Sequence, residues 1–121
     1  MGRRFAMVDV FGEEPLRGNP LAVVADAEGL SDDDMQQLTR WFNLSETAFL
    51  LPPTSAEADY RVRIFTLAAE LPFAGHPTLG SCHTWLALGG QPAAGDVVVQ
   101  ECGAGLVTLR RDADSLAFAA P

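Results

Sequence analysis

Glu46 is a candidate proton carrier in this sequence, and His76 marks a helix start suited to holding an anion; each stands where a loop turns into an apolar run. Glu46 opens the stretch Glu46-Thr47-Ala48-Phe49-Leu50-Leu51. A carboxylate there is either a solvated edge residue or a group held in a dry site, where it could both give and take a proton near neutral pH. His76 lies between Gly75 and Pro77 at the entrance to an apolar helix. Helix starts collect unpaired N–H groups and the positive end of the macrodipole, so a small carboxylate could rest on the amides of Thr78 and Leu79. Gly75 would then permit close backbone approach or a positive φ. The plainer alternative is a capped core helix whose histidine bonds to backbone. Asn19, between Gly18 and Pro20, is either a turn former or a polar group lining a pocket.

Other reactive types point nowhere in particular. Cys82 and Cys102 fit neither a Cys-x-x-Cys nor a Cys/His zinc spacing, so no metal site is expected. Cys82 reads as a small buried hydrophobe. Its neighbour His83 diverges from it by about 100° around a helix and cannot easily share an ion with it. The 121 residues carry a formal charge of −8, and the eight basic residues form no run longer than Arg3-Arg4 or Arg110-Arg111. That excludes an electrostatic nucleic-acid footprint. The N-terminal Met1-Gly2-Arg3-Arg4 leads straight into an alternating strand rather than the apolar core of a secretory signal. A cytoplasmic location and no membrane partner are the default expectation.

The elements that must position Glu46 and His76 follow from periodicity and breakers. With 48% hydrophobic residues, the chain is expected to form one domain over residues 1–121 with a real core. A strand is predicted over residues 5–11, a turn at Gly12-Glu13-Glu14-Pro15, and a short strand over residues 21–25. Ser31 should cap a helix opened by Asp32, Asp33 and Asp34, with Met35, Leu38 and Trp41 or Phe42 facing the core and Asn43 ending it. Strands are expected after Glu46 and over residues 60–65, the latter with Arg61 and Arg63 facing water. Pro77 suits a first helical position, and the following helix, stopped by Gly89-Gly90, has no clear polar face. A hairpin across Gly103-Ala104-Gly105 and a last run at residues 116–119 complete the count. The fold class is α+β, a mostly antiparallel curved sheet wrapped around the apolar helix, since only wrapping removes all its sides from water.

Three segments together resemble the PhzF family of phenazine-biosynthesis-like proteins: Gly18-Asn19-Pro20-Leu21-Ala22-Val23-Val24, Asn43-Leu44-Ser45-Glu46-Thr47-Ala48-Phe49, and Glu70-Leu71-Pro72-Phe73-Ala74-Gly75-His76-Pro77-Thr78-Leu79-Gly80. All occur in the family's order. The resemblance implies one half of a diaminopimelate epimerase-like fold, in which two alike halves flank an active-site cleft. It implies a cofactor-independent isomerase acting on a small cyclic amino-acid-like carboxylate such as trans-2,3-dihydro-3-hydroxyanthranilate. Glu46 would be the general acid/base, His76 and the Gly75 region substrate contacts, and Asn19 a lesser pocket residue. The epimerase relatives carry a cysteine base where this chain has Ala74, which favours a carboxylate over a thiol mechanism. Leu67 stands where the family usually has proline.

Family members are about twice as long and draw further active-site residues, an Asp and a Ser among them, from a half that has no counterpart here. The resemblance therefore implies a partner, either a second copy of this chain or a complementary chain, because a lone half leaves an apolar face uncovered. A fragment, a split gene product and a one-domain protein are all compatible with the sequence. So is a non-catalytic small-molecule binding module.

Overall fold

The computed structural model describes residues 2–10, 16, 18–112 and 115–121. The expected turn over residues 12–15 lies outside them. Among the described residues eight strands and two helices follow one another: β1 (Phe5–Val10), β2 (Asn19–Val24), α1 (Asp32–Phe42), β3 (Glu46–Leu51), β4 (Tyr60–Thr66), β5 (Glu70–Leu71), α2 (Gly75–Ala87), β6 (Val97–Cys102), β7 (Gly105–Asp112) and β8 (Ser115–Phe118). The strands form a single sheet in the order β1-β2-β3-β4-β6-β7-β8, with β5 paired on β4. Neither helix is long and apolar enough to cross a membrane.

The sheet is mixed, where the sequence suggested a mostly antiparallel one. β2 runs parallel to β3 and β4 parallel to β6, while the remaining pairings are antiparallel. The physical reason is connectivity. A helix lies between the members of each parallel pair, α1 between β2 and β3 and α2 between β4 and β6, and parallel neighbours need such a crossover. The hairpin at residues 103–105 forms as expected, with Gly105 at φ 112°.

Strand alternation sends the two helices to opposite faces. Leu21, Val23, Ala48, Leu50, Val62 and Ile64 pack with Cys82 of α2. Their alternates Val24, Phe49 and Phe65 pack with Met35 of α1. Phe42, not Trp41, completes the α1 stripe: Phe42 packs on that cluster, whereas Trp41 is 81% exposed. Ser31 caps α1 by accepting from the Asp34 N–H at 3.1 Å, Asp34 reaches back to the Ser31 N–H at 3.0 Å, and Asn43 ends the helix at φ 58°.

α2, expected without a clear polar face, mixes polar and apolar side chains on its buried sides. Its buried side chains include the polar His76, Thr78, Ser81 and Thr84. His83 and Ala87 are exposed. Half-buried Leu79 and Leu86 border a groove of about 440 Å³ that reaches from β1 across α2 to Arg111 and Leu116. Among the described residues the sheet therefore leaves one side of α2 uncovered. Arg63 also departs from expectation. Rather than facing water, it is clamped between Asp32 at 2.8 Å and Glu70 at 2.7 Å, above the Phe65 ring.

Candidate functional site

Glu46 is the first residue of β3 and shares its face with Ala48 and Leu50, the face toward α2. His76 is the second residue of α2 and nearly buried, with 7% of its side chain exposed against 17% for Glu46. The fold brings these two side chains, thirty positions apart, into contact: His76 Nδ1 lies 3.0 Å from Glu46 Oε1. On the other side of the ring, Nε2 lies 2.9 Å from the backbone oxygen of Asn19.

A carbonyl oxygen only accepts, so Nε2 must carry a hydrogen and donate it to Asn19. That fixes the tautomer and leaves Nδ1 to settle with Glu46. Either a protonated Glu46 donates to a bare Nδ1, or an imidazolium Nδ1–H donates to the carboxylate. In both arrangements one proton sits between the two groups.

The helix start is built differently from the sequence expectation. Ala74 is the N-cap, in extended conformation and with no side chain able to cap. Pro77 accordingly falls at the third helical position rather than the first. Its missing N–H is still one that would lack an intrahelical acceptor, but it removes an amide from any anion cradle. Thr78 is a correction as well: its N–H bonds to Ala74 O at 3.2 Å and its hydroxyl accepts from Gln100 at 3.1 Å, so both its polar groups are engaged inside the fold. The amides standing ahead of the first intrahelical acceptor belong to Gly75 and His76. Gly75 does not adopt a positive φ. Its lack of a side chain serves close packing, because a Cβ there would come within 3.1 Å of the Phe118 ring. Asn19 joins the site through its main-chain oxygen, while the residue itself is exposed.

The sulfurs stand apart. Burial pushes the Cys82 thiol up to about 11, so it is no thiolate near neutral pH. Cys102 donates weakly to Gly105 O at 3.4 Å. Among the described residues no cluster of three or more His, Cys, Asp or Glu could hold a metal ion. Two groups escaped sequence reasoning. Gln100 is fully buried, bonded to Tyr60 Oη at 2.8 Å and to Thr78. Alternation with Val98 was the signal for it, masked by the apolar run Val97-Val98-Val99. Arg63 is the other, hidden because its partners Asp32 and Glu70 come from distant segments.

Residues 8–118 match the family described as phenazine biosynthesis-like protein (PhzC-PhzF). The chain belongs to that family. A Schizosaccharomyces pombe relative, antisense-enhancing sequence 1, is 50% identical over 110 residues, which are 91% of this chain and 37% of that protein. The trans-2,3-dihydro-3-hydroxyanthranilate isomerase of Pseudomonas aeruginosa is 50% identical over 88 residues, 73% of this chain and 30% of that one. Among solved structures, one described as a predicted epimerase from Pseudomonas aeruginosa superimposes with a TM-score of 0.79 at 42% identity, covering 97% of this chain and 41% of its own. A hydroxyproline epimerase from Agrobacterium vitis shares the fold at a TM-score of 0.59 and 19% identity. This PhzC-PhzF chain therefore spans less than half the length of the relatives and structures it matches.

Proposed function

We propose that this chain is the proton-carrying half of a PhzF-type isomerase, with Glu46 as general acid/base and a small cyclic amino-acid-like carboxylate, similar to trans-2,3-dihydro-3-hydroxyanthranilate, as substrate. The contact between Glu46 and His76, fixed from behind by Asn19 O, carries the reading. In the proposed step the Glu46 carboxylate takes a proton from a substrate carbon as its C–H bond breaks. The electron pair shifts along the conjugated system, and the carboxylic acid returns the proton to another carbon. Nothing is oxidised or reduced, and the carboxylate is regenerated. His76 orients Glu46 and can balance its charge, while the amides at the start of α2 would face the substrate carboxylate.

Activity in this reading needs a second half, supplied by another copy of this chain, by a complementary chain or by further residues of a longer polypeptide, which would also cover the side of α2 left open among the described residues and make it a central helix. The relatives' greater length supports that requirement.

The test is substrate deuteration in deuterated water, with trans-2,3-dihydro-3-hydroxyanthranilate followed by NMR over a range of protein concentrations. Glu46→Gln should lower exchange by about 10²–10⁴-fold, the usual worth of a positioned acid/base group. A second copy predicts a rate per chain that climbs with concentration. Equal exchange in wild type and Glu46→Gln would remove Glu46 from the mechanism. No exchange in either would favour the reading of a non-catalytic binding module.

A further inference from the structure

Gln100 lies on the far side of α2 from the candidate acid/base pair, yet it is tied to the same helical turn. It is fully buried, opposite Tyr60 in the parallel pairing of β4 and β6. Its amide spans two buried hydroxyls: Tyr60 Oη donates to Oε1 at 2.8 Å, and Nε2 donates to Thr78 Oγ1 at 3.1 Å. Turning the amide over would exchange the roles without losing either bond, since a hydroxyl both donates and accepts. A side chain of another shape would strand two polar groups in the core, which is costly.

Thr78 and His76 are two positions apart on α2 and so project roughly 200° from each other about the helix axis. One bonds to β6 through Gln100 and the other to β2 and β3 through Asn19 and Glu46. The first turn of the helix is held from opposite walls of the sheet. Rolling it about its axis stretches one attachment or the other, and no side-chain cap at Ala74 adds a competing restraint.

We infer that Gln100, braced by Tyr60 and acting through Thr78, is a positioning residue that sets the rotation of α2 and with it the alignment of His76 on Glu46. The relevance to turnover rests on the isomerase reading above; the alignment itself does not. The test therefore reads the imidazole directly, by ¹⁵N NMR of histidine-labelled protein, with the chain's other histidine, exposed His83, as internal reference. Wild type should show His76 protonated at Nε2. Thr78→Val and Gln100→Leu should move the two ring-nitrogen signals toward those of an unrestrained imidazole, and Thr78→Ser should keep them where they are.

Thr84→Val is the control, because Thr84 Oγ1 is a buried hydroxyl on the same helix with no partner among the described residues. It should leave His76 unmoved. In the exchange assay Thr78→Val should cost on the order of 10–100-fold in kcat with little change in KM, as for a misplaced acid/base group. Should Gln100→Leu fail to fold, Thr78→Val against Thr78→Ser decides alone. Unaltered His76 signals in folded Thr78→Val, or equal displacement by Thr84→Val, would overturn the assignment. Loss of exchange in every protein, wild type included, would instead strike the isomerase reading, while the ring-nitrogen signals would still decide the role of Gln100.

Discussion

The two helices of this chain reach their positions by opposite means. α1 carries its own instructions: a capping box at Ser31 and Asp34, acidic residues Asp32, Asp33 and Asp34 in the first turn, and a left-handed Asn43 at the end. α2 has no side-chain cap, no acidic residue in its first turn and no basic residue in its last. What fixes α2 is its walls. His76 is held by β2 and β3, Thr78 by β6, and Gly80 presses against Leu21 and Val10. A helix specified by its neighbours can have its side chains aimed by those neighbours, which suits the one that carries the candidate site. A helix specified by its own sequence serves as a support.

Breaking the walls should therefore hurt more than breaking the cap. Gly80→Ala is expected to have the largest effect. A methyl group there would come within 2.3 Å of Leu21 Cδ2 and 3.1 Å of Val10 Cγ2, in a core where Leu21 is fully buried. Overpacking of this kind costs about 1–3 kcal/mol, enough to outweigh the helix propensity gained. The urea midpoint should fall with an unchanged slope, and a midpoint at or above wild type would mean that α2 has room to shift.

Ser31→Ala removes the cap of α1 and should cost about 1 kcal/mol, read from the same denaturation curves. A loss equal to that of Gly80→Ala would erase the contrast between the two helices. The smallest effect belongs to the surface pair of Arg4 and Asp26, whose guanidinium holds the Asp26 carboxyl down to about 2. A carboxylate lowered in the folded state stabilises above its unfolded value, near 4, and that contribution disappears as pH falls toward 2. Asp26→Asn should thus trail wild type slightly at neutral pH and converge with it between about pH 4 and pH 2. A gap that persists unchanged down to pH 2 would contradict this.

The same division decides what could be read from the sequence. α1 was legible from cap to terminus, because every signal for it lies within thirteen residues, 31–43; only the choice between Trp41 and Phe42 needed the structure. The strands and the hairpin at residues 103–105 were visible in their alternation and glycines. The sheet's mixed direction was not, because parallel pairing depends on which strands each helix bridges. At the site, Glu46, His76 and Asn19 were singled out by type and setting, but their contact comes from sheet register and helix roll, which no local spacing encodes. In sequence Thr78 stands out for an amide near the helix start, whereas in the fold its N–H closes the first helical turn and its hydroxyl bonds to Gln100, whose own bonds run to β4 and α2 where no local spacing shows them.

His76 leans on Asn19 through a peptide oxygen, an atom every amino acid possesses. Exchanging the side chain at position 19 leaves that oxygen in place, and Pro20 keeps the residue before it extended whatever its identity. A survey of side-chain tolerance would therefore rank this position as expendable while the imidazole continues to depend on it, and only a shift of the strand itself could withdraw the support.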